Sequence, residues 1–328
     1  MKHPDRSLPL ALSDDELTAL AGAFSDAGFA VRVPAQGILQ LTAPGQLLRR
    51  PRWLLSAGIH GDETAPLEML AQLLDALADR PAALAVDLMI VVGNPAAIAR
   101  GKRFIDADLN RMFGAGRGTL QETDEARRAD AIMRACAAFF AGSAGSRWHL
   151  DLHAAIRPSR YPTFAVVPAT AADAQQQALL GLLGAAGIEA AIVNTQPAAT
   201  FSAYTAERFD TISATLELGQ VSVLGSNDPD AFAATRAAID RVLRSGRIPE
   251  GDAPALFRVA RELLKRSEAF RFAYAGNAAN FTPIPPHTLL AQDGDLAYCS
   301  GAEEEYLIFP NPDVRPGLRA GLTVVRER

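Results

Sequence analysis

Short apolar runs alternate with helically periodic segments from residue 53 to about residue 245 of this chain. Residues 86–92 are dominated by large apolar side chains and run into a Gly-Asn-Pro turn, which indicates a buried strand. Leucines recur at helical spacing in residues 64–78, which indicates a helix with one apolar face. Strands and helices in alternation are typical of an α/β fold, so we predict a central sheet with helices on both faces.

Caps and breaks set the limits of the predicted elements. Ser13 is suited to cap the first helix and Gly28 to close it. Pro34 and Gly37 are predicted to break the segment 31–42 into short strands. We predict strands within 31–42 and at 53–57, 86–92, 147–152, 162–167, 190–193 and 211–218, and helices at 13–30, 64–78, 122–141, 171–186 and 228–244.

The residue pattern of the sequence changes after Gly246. Residues 247–328 contain short β-type segments, many prolines and turn pairs such as Asp293-Gly294. We therefore predict two domains. Residues 1–246, with an N-terminal extension at 1–49, form the larger domain that holds the catalytic site, and residues 247–328 form a smaller all-β domain.

Composition argues against several classes of function. The net charge of −5 disfavours a general nucleic-acid binder, because it implies no broad basic surface. Cys136 and Cys299 form no CxxC pair, which favours a reducing compartment over a disulfide framework. The sequence shows neither a signal-type apolar segment at its start nor an apolar run of about 18 residues. We expect a cytoplasmic protein that acts on a small molecule, with no nucleic-acid or membrane partner, and we leave a homo-oligomer open.

A histidine and a carboxylate stand close together where the strand at 53–57 meets the helix at 64–78. His60 is predicted to follow the strand, and Glu63 to lie in the first helical turn. Ligand sites of open α/β sheets gather at the carboxyl ends of strands, and imidazole and carboxylate are both zinc ligands. The pattern predicts a metal site; the alternative is an acidic residue that only stabilises a helix N-terminus.

A third metal ligand is expected from the strand at 147–152. His153 comes at its carboxyl end, as His60 comes at the end of its own strand. His149 shares a strand face with His153 but lies about 13 Å away, so we interpret it as a hydrogen-bonded core residue. Two histidines and one carboxylate leave a fourth position for water, which is the pattern of a catalytic zinc site.

Glu217 is the one carboxylate in the otherwise apolar strand segment Thr215-Leu216-Glu217-Leu218-Gly219. Burying a charge in such a strand costs free energy unless the group is paired or functional. Two interpretations stay open. Glu217 is either a base that takes a proton from water or the partner of a neighbouring arginine.

Residues 101–111 form a loop-like stretch rich in charged side chains, for which a solvated loop is the usual interpretation. Asn110 and Arg111 nevertheless place an amide beside a guanidinium, a pair suited to bind a carboxylate. Arg103 offers a permanent cation for a developing oxyanion. The stretch is therefore a candidate for binding a substrate, beside the predicted metal site.

In their order along the chain, these residues resemble the zinc carboxypeptidase superfamily and, within it, the aspartoacylase/succinylglutamate desuccinylase family. The likeness covers about residues 50–325, and its specificity comes from the ordered set of motifs rather than from any one of them. The motifs are Gly58-Ile59-His60-Gly61-Asp62-Glu63-Thr64-Ala65-Pro66, Gly93-Asn94-Pro95, Asp108-Leu109-Asn110-Arg111-Met112-Phe113, Asp151-Leu152-His153, Thr215-Leu216-Glu217-Leu218-Gly219, Phe309-Pro310-Asn311-Pro312 and Gly317-Leu318-Arg319-Ala320-Gly321.

The resemblance implies a fold and a metal. The fold is a zinc carboxypeptidase-like mixed sheet with helices on both faces, followed by a smaller C-terminal β domain. The metal is one zinc ion per subunit, held by His60, Glu63 and His153. Asp108 would accept a hydrogen bond from His60 and so fix the tautomer of that imidazole.

The resemblance also implies a reaction: zinc-dependent hydrolysis of the amide bond of N2-succinyl-L-glutamate to succinate and L-glutamate, the last step of arginine catabolism by the succinyltransferase route. Glu217 would be the general base and later the proton donor, and Arg103 would polarise the scissile carbonyl. Asn110 and Arg111 would bind the α-carboxylate of the amino acid. The alternatives are a deacylase of another N-acyl amino acid and a carboxypeptidase of the same superfamily.

Two features depart from the family pattern. Aspartoacylase carries a further substrate arginine ten residues before its catalytic glutamate; the matching position here is Glu207, with Arg208 beside it, which argues against N-acetylaspartate. A superfamily tyrosine from a late loop has two candidates, Tyr298 and Tyr306. The cations that remain for the other two substrate carboxylates are Lys102, Arg157, Arg160 and Arg208.

Overall fold

A computed structural model describes residues 14–45, 49–114, 116–168, 173–196, 198–274 and 278–327. The predicted helix at 64–78 is confirmed, and most other predicted helices are confirmed with shifted ends. Ser13 lies outside the described residues. The helices are α1 (Asp14–Asp26), α2 (Thr64–Ala78), α3 (Pro95–Ala99), α4 (Asp124–Phe140), α5 (Asp173–Ala185), α6 (Phe201–Phe209) and α7 (Ala233–Ser245), with 3₁₀ turns at Pro81–Ala83, Leu109–Arg111 and Gly118–Glu122.

The strands divide into those before and those after residue 250. The earlier ones are β1 (Ala30–Ala35), β2 (Ile38–Thr42), β3 (Arg52–Ala57), β4 (Asp87–Val92), β5 (Arg147–Ala155), β6 (Thr163–Pro168), β7 (Ala190–Asn194) and β8 (Ile212–Gln220). The later ones are β9 (Ala255–Leu264), β10 (Arg271–Phe272), β11 (Thr282–Ile284), β12 (Leu289–Asp293), β13 (Leu296–Cys299), β14 (Glu305–Ile308) and β15 (Arg319–Arg326).

One mixed sheet of 12 strands runs through the molecule in the order β1-β2-β4-β3-β5-β8-β6-β7-β9-β15-β14-β11. Its centre is parallel from β4 through β3 and β5 to β8, whereas β6 pairs with β8 in the antiparallel sense. Apolar side chains of α1, α2, α5 and α7 pack on one face, and those of α4 and α6 pack on the other. The predicted mixed sheet with helices on both faces is therefore confirmed.

Successive side chains of each central strand point alternately into these two cores. Trp53 and Trp148 lie on the same face of β3 and β5, where their rings stack with centroids 4.8 Å apart. Both belong to the core under α1 and α2. On the opposite face of β5 the alternating residues are His149, Asp151 and His153, all buried. The sheet thus separates an apolar layer from a buried polar one.

The chain after α7 continues the same sheet instead of folding apart from it. β9 pairs in parallel with β7, and β15 and β14 follow it in antiparallel pairs. A second sheet of three strands, β10-β12-β13, packs beside them. Among the described residues from Ala255 onward, every regular element is a strand, so the predicted smaller C-terminal β domain is confirmed.

Several sequence predictions need correction. Pro34 does not end β1, although the pairing of β1 with β2 is irregular between Arg32 and Ala35. β1 is the edge strand of the sheet, and an edge strand tolerates a missing N–H donor. The predicted helix at 228–244 begins only at Ala233. The segments α3 and α6 were not predicted as helices. Among the described residues, no helix has both the length and the apolarity to cross a bilayer.

We predict that Trp53→Ala lowers the free energy of unfolding by about 3–5 kcal/mol, because it leaves a cavity beside the stacked Trp148 ring in a closed core. Urea unfolding followed by circular dichroism measures the change. Val33→Ala is the control, since Val33 is 57% exposed and its truncation should cost less than about 0.5 kcal/mol. Equal losses in both variants would contradict the packing described here.

Candidate active site

Three separate segments bring their side chains together at the carboxyl ends of β3 and β5. His60 lies in the turn after β3, Glu63 directly precedes α2, and His153 lies in β5. The side chain of Glu63 makes no capping hydrogen bond to α2. His153 lies two residues before the end of its strand rather than at it, because β5 extends to Ala155. All three candidate ligands are buried.

The carboxylate of Glu63 lies between the two imidazoles. Its Oε1 is 2.7 Å from Nδ1 of His60, and its Oε2 is 2.8 Å from Nδ1 of His153. One ligand atom from each residue lies within 4.8 Å of the other two. Two nitrogens and a carboxylate oxygen that converge in this way form a donor set that could hold one metal ion.

The outer nitrogen of each imidazole faces a second carboxylate. Nε2 of His60 lies 2.9 Å from Asp108, and Nε2 of His153 lies 2.9 Å from Asp151. A neutral imidazole that donates its Nε2–H keeps its lone pair on Nδ1, the atom that faces Glu63. The donor set therefore fits a metal ion. Asp151 was missed as an outer partner, although its period-two spacing from His153 could have identified it.

The electrostatics of the cluster favour a positive charge at its centre. Burial opposes the charged form of His153, but the carboxylates of Asp151 and Glu63 outweigh burial and raise its pKa well above the ordinary value. Burial likewise opposes ionisation of Glu63, yet His60 and His153 hold its pKa well below the ordinary value. A buried site arranged in this way suits a divalent cation, which would replace the protons on the histidines.

Glu217 faces the cluster from β8, where its register partner is His153. An irregularity in the pairing of β5 and β8 follows directly, and Gly219 has a left-handed φ of 70°. The Oε2 atom of Glu217 is buried without a hydrogen-bond partner among the described residues. Burial, opposed by His153 and assisted by Glu63, raises the pKa of Glu217 to about 7. The alternative of an ion pair with an arginine finds no support, since the described residues contain no such pair.

Arg103 belongs to the same cluster and is not part of a solvated loop. Its Nη1 lies 2.8 Å from Oε1 of Glu63, and burial of its guanidinium is offset by Glu63 and Asp108, so that its pKa is raised. The backbone carbonyl of Arg103 also accepts a hydrogen bond from the N–H of Gly61, next to His60. The arginine is thereby tied to the turn that carries two candidate ligands.

Asn110 and Arg111 end the loop in a short 3₁₀ turn. The side-chain oxygen of Asn110 accepts a hydrogen bond from the N–H of Phe201 at the start of α6, which leaves the NH₂ group of Asn110 as a donor. The guanidinium of Arg111 donates to the carbonyl of Asn110 and is largely exposed. The amide and the cation thus lie side by side, as the sequence suggested.

Arg319 is a cation near the site that sequence reasoning did not assign, although its motif was noted. It begins β15, pairs with Glu262 at 3.3 Å and is 27% exposed at its side chain. Burial first, and then the charge of Arg111, lower its pKa. The C-terminal domain therefore brings a guanidinium close to Arg111.

The remaining candidates take structural or peripheral positions. His149 is fully buried and hydrogen-bonded through both ring nitrogens, to Ser56 and Thr205, as its interpretation as a core histidine expects. The hydroxyl of Tyr298 donates to the carbonyl of Leu264, and that of Tyr306 to Glu304. The exposed candidates are Lys102, Arg160, Glu207 and Arg208, and Arg157 is partly exposed.

Comparison with known proteins places this geometry in a family. The model of the succinylglutamate desuccinylase/aspartoacylase catalytic domain matches residues 49–245. The model of the AstE/AspA barrel-sandwich hybrid domain matches residues 252–327.

Curated relatives share much of the sequence over nearly its whole length. A succinylglutamate desuccinylase from Burkholderia pseudomallei (strain K96243) is 40% identical over 325 residues, which cover 98% of this chain and 93% of the relative. One from Serratia proteamaculans (strain 568) is 41% identical over 293 residues, which cover 88% of each protein.

Solved structures agree with the sequence comparisons. The succinylglutamate desuccinylase from Chromobacterium violaceum is 35% identical, with a TM-score of 0.79 over 94% of this chain and 97% of that one. A metallo-carboxypeptidase from Burkholderia cenocepacia is 17% identical, with a TM-score of 0.54 over 72% of this chain and 70% of that one, and shares the fold alone. From the extent of these matches, the chain belongs to the succinylglutamate desuccinylase/aspartoacylase family.

Proposed function

We propose that this protein hydrolyses the amide bond of N2-succinyl-L-glutamate to succinate and L-glutamate, as the name of its relatives indicates. The observation that carries the proposal is the buried His60–Glu63–His153 cluster with Glu217 facing it, whose Oε2 atom has no hydrogen-bond partner among the described residues. The proposal includes zinc as the metal, catalysis within residues 1–246, a cytoplasmic location and a place in arginine catabolism.

The residues that would hold zinc are His60 and His153 through Nδ1 and Glu63 through its carboxylate. Imidazole and carboxylate ligands suit zinc, although such a set also accepts cobalt or manganese. When bound, the ion supplies a Lewis acid that makes water a nucleophile near neutral pH. Asp108 and Asp151 hold the outer nitrogens of the two imidazoles and keep their Nδ1 atoms aimed inward.

Glu217 transfers the proton. With its pKa raised to about 7, it can accept a proton from the attacking water and give it up again near neutral pH. The water oxygen bonds to the succinyl carbonyl carbon, the carbon–nitrogen bond breaks, and the proton goes from Glu217 to the departing amine of L-glutamate. A buried carboxylate oxygen with no other partner is suited to this cycle, because no competing hydrogen bond holds its lone pairs.

Arg103 stabilises the negative charge that develops on the carbonyl oxygen. The guanidinium already lies beside Glu63, so it needs no long movement to reach a substrate carbonyl. Losing a donor of this kind typically costs about 2.7–4 kcal/mol of transition-state stabilisation. The permanent charge of an arginine suits this task better than that of a lysine, because burial does not neutralise it.

The amino-acid part of the substrate binds at Asn110 and Arg111. The free NH₂ group of Asn110 and the guanidinium of Arg111 can donate to the two oxygens of the α-carboxylate. The substrate carries three carboxylates, whereas the protein has a net charge of −5. Arg103, Arg111 and Arg319 supply cations that can face these carboxylates.

Product analysis tests the reaction directly. Incubation with N2-succinyl-L-glutamate should release succinate and L-glutamate in equal amounts, and a chelator should abolish release until zinc is added back. N-acetyl-L-aspartate and short peptides are the comparison substrates. A higher rate on either of these, or a rate that the chelator does not change, would contradict the proposal.

Glu217→Gln should lower kcat by about 10²- to 10⁴-fold, because glutamine cannot accept the proton of water. Zinc content should stay unchanged, since Glu217 is not among the proposed ligands. The matched control is Glu250→Gln, which removes the same charge from an exposed position.

The pH dependence gives a second test of the same residue. Glu217 acts as a base only when ionised, so kcat/KM of the wild-type enzyme should fall as the pH drops below about 7. This acid limb should be absent from the residual activity of Glu217→Gln. An unchanged limb in that variant would assign the ionisation to another group.

Arg111→Ala should raise KM for N2-succinyl-L-glutamate by about 10- to 150-fold, the loss expected for a hydrogen bond between charged groups. Zinc content should not change, because Arg111 contacts none of the proposed ligands. Arg80→Ala serves as the control, since Arg80 is exposed beyond the end of α2. An unchanged KM in Arg111→Ala would remove its carboxylate role.

A further inference from the structure

Glu125, in the first turn of α4, is a buried carboxylate that contacts a loop far from it in sequence. Its side chain is enclosed, with only 1% of the residue exposed. Oε1 accepts hydrogen bonds from the N–H of Ile105 at 2.7 Å and from the amide of Asn94 at 3.0 Å. Oε2 accepts hydrogen bonds from the N–H groups of Asp106 and Ala107, each at 3.1 Å.

This arrangement is unusual because the buried charge is stabilised without an ion pair among the described residues. Three consecutive backbone N–H groups and one amide supply four donors, and the N-terminus of α4 adds its dipole. Each donor would be left without a partner if the carboxylate were removed, at a cost of about 1–3 kcal/mol for each buried group. The contact therefore fixes the backbone of residues 105–107.

The fixed segment lies between two side chains of the candidate active site. Arg103 precedes it and contacts Glu63, and Asp108 follows it and contacts His60. Only a few bonds separate either side chain from the backbone that Glu125 holds. A shift of this backbone would move the oxyanion donor and the outer partner of a candidate ligand together.

Asn94, from the Gly93-Asn94-Pro95 motif, joins this anchor to the turn that carries His60. Its Oδ1 accepts the N–H of Ala97 and caps α3, while its NH₂ group donates to Glu125. Its backbone N–H donates to the carbonyl of Gly58 at 2.7 Å, two residues before His60. Asn94, which has no role in the proposed chemistry, thus connects the loop held by Glu125 to the turn that carries His60.

We propose that Glu125 is a positioning residue that holds the 103–108 segment, and with it Arg103 and Asp108, at a fixed distance from the His60–Glu63 turn. The inference deepens the proposed function and rests on it, because the role of Arg103 in the reaction comes from that function. A misplacement of about 1 Å in such a group can lower a rate by about 100-fold.

Glu125→Gln tests the inference with little change in shape. The new NH₂ group cannot accept a hydrogen bond. The two N–H donors that face it would therefore lose their acceptor. We expect kcat to fall by about 10- to 100-fold at saturating zinc, with KM changed by less than about threefold. Zinc should still bind at one ion per chain, and amide hydrogen exchange should accelerate in residues 103–108.

Glu122→Gln is the matched control, because Glu122 is exposed three residues before Glu125 in the same segment. It should keep the wild-type kcat and the wild-type exchange rates. A Glu125→Gln variant that folds, binds zinc and keeps the wild-type kcat would overturn the inference. A loss of thermal stability with an unchanged kcat for the folded enzyme would overturn it as well, since that result indicates a merely structural role.

Hydrogen exchange of the wild-type protein decides the matter if Glu125→Gln does not fold. The amides of residues 105–107 should exchange as slowly as those of α4, although the loop lies near the surface. Exchange at the rate of an open loop would overturn the anchor. If the wild-type protein released neither succinate nor L-glutamate, the proposed function would be wrong, whereas these exchange rates would still test the anchor.

Discussion

The carboxylate of Glu63, held between the Nδ1 atoms of His60 and His153, is the contact on which the arrangement of the site depends. It joins a turn and a strand 90 residues apart in sequence. It can form only because β3 and β5 are adjacent and parallel, with Ala57 level with Leu152, so that both strands end at one edge. A buried charge without these partners would be costly. The pKa values of both histidines are raised and that of Glu63 is lowered against the effect of burial, which is the direction of mutual stabilisation.

The buried polar face of β5 extends this dependence away from the cluster. Ser56 donates its hydroxyl proton to Asp151 at 2.5 Å, so it must accept the Nε2–H of His149. The other ring nitrogen of His149 lies 2.7 Å from the hydroxyl of Thr205. Burial lowers the pKa of His149 to about 4, which keeps the ring neutral near pH 7. The chain of hydrogen bonds fixes Asp151, and Asp151 in turn orients His153.

The sequence was sufficient for features that repeat along the chain or stand at strand ends, because periodicity and turn chemistry are local. It predicted the sheet, most helices and the convergence of the candidate ligands. It missed α6, whose buried face includes Ser202 and Thr205 and so lacks a clear apolar stripe. It could not assign Glu125, since three of the four partners of that carboxylate are backbone N–H groups, which have no residue-type signature. The sequence could not assign Arg319 to the site either, because the proximity of Arg319 to Arg111 depends on how two domains pack.

That packing makes the C-terminal domain part of the electrostatics of the site. Asn280 is fully buried, and its backbone N–H donates to the carbonyl of Pro158 while its own carbonyl accepts the N–H of Arg160. Its side-chain oxygen accepts the N–H of Phe309. These bonds join the loop after β5 to the strands of the second domain. β15 then carries Arg319 towards Arg111, and burial first, then the charge of Arg111, lower the pKa of Arg319. Two guanidinium groups held near each other repel, and an anion bound near both relieves the repulsion. Under the proposed function, two neighbouring guanidinium groups favour a substrate with several carboxylates over one with a single carboxylate.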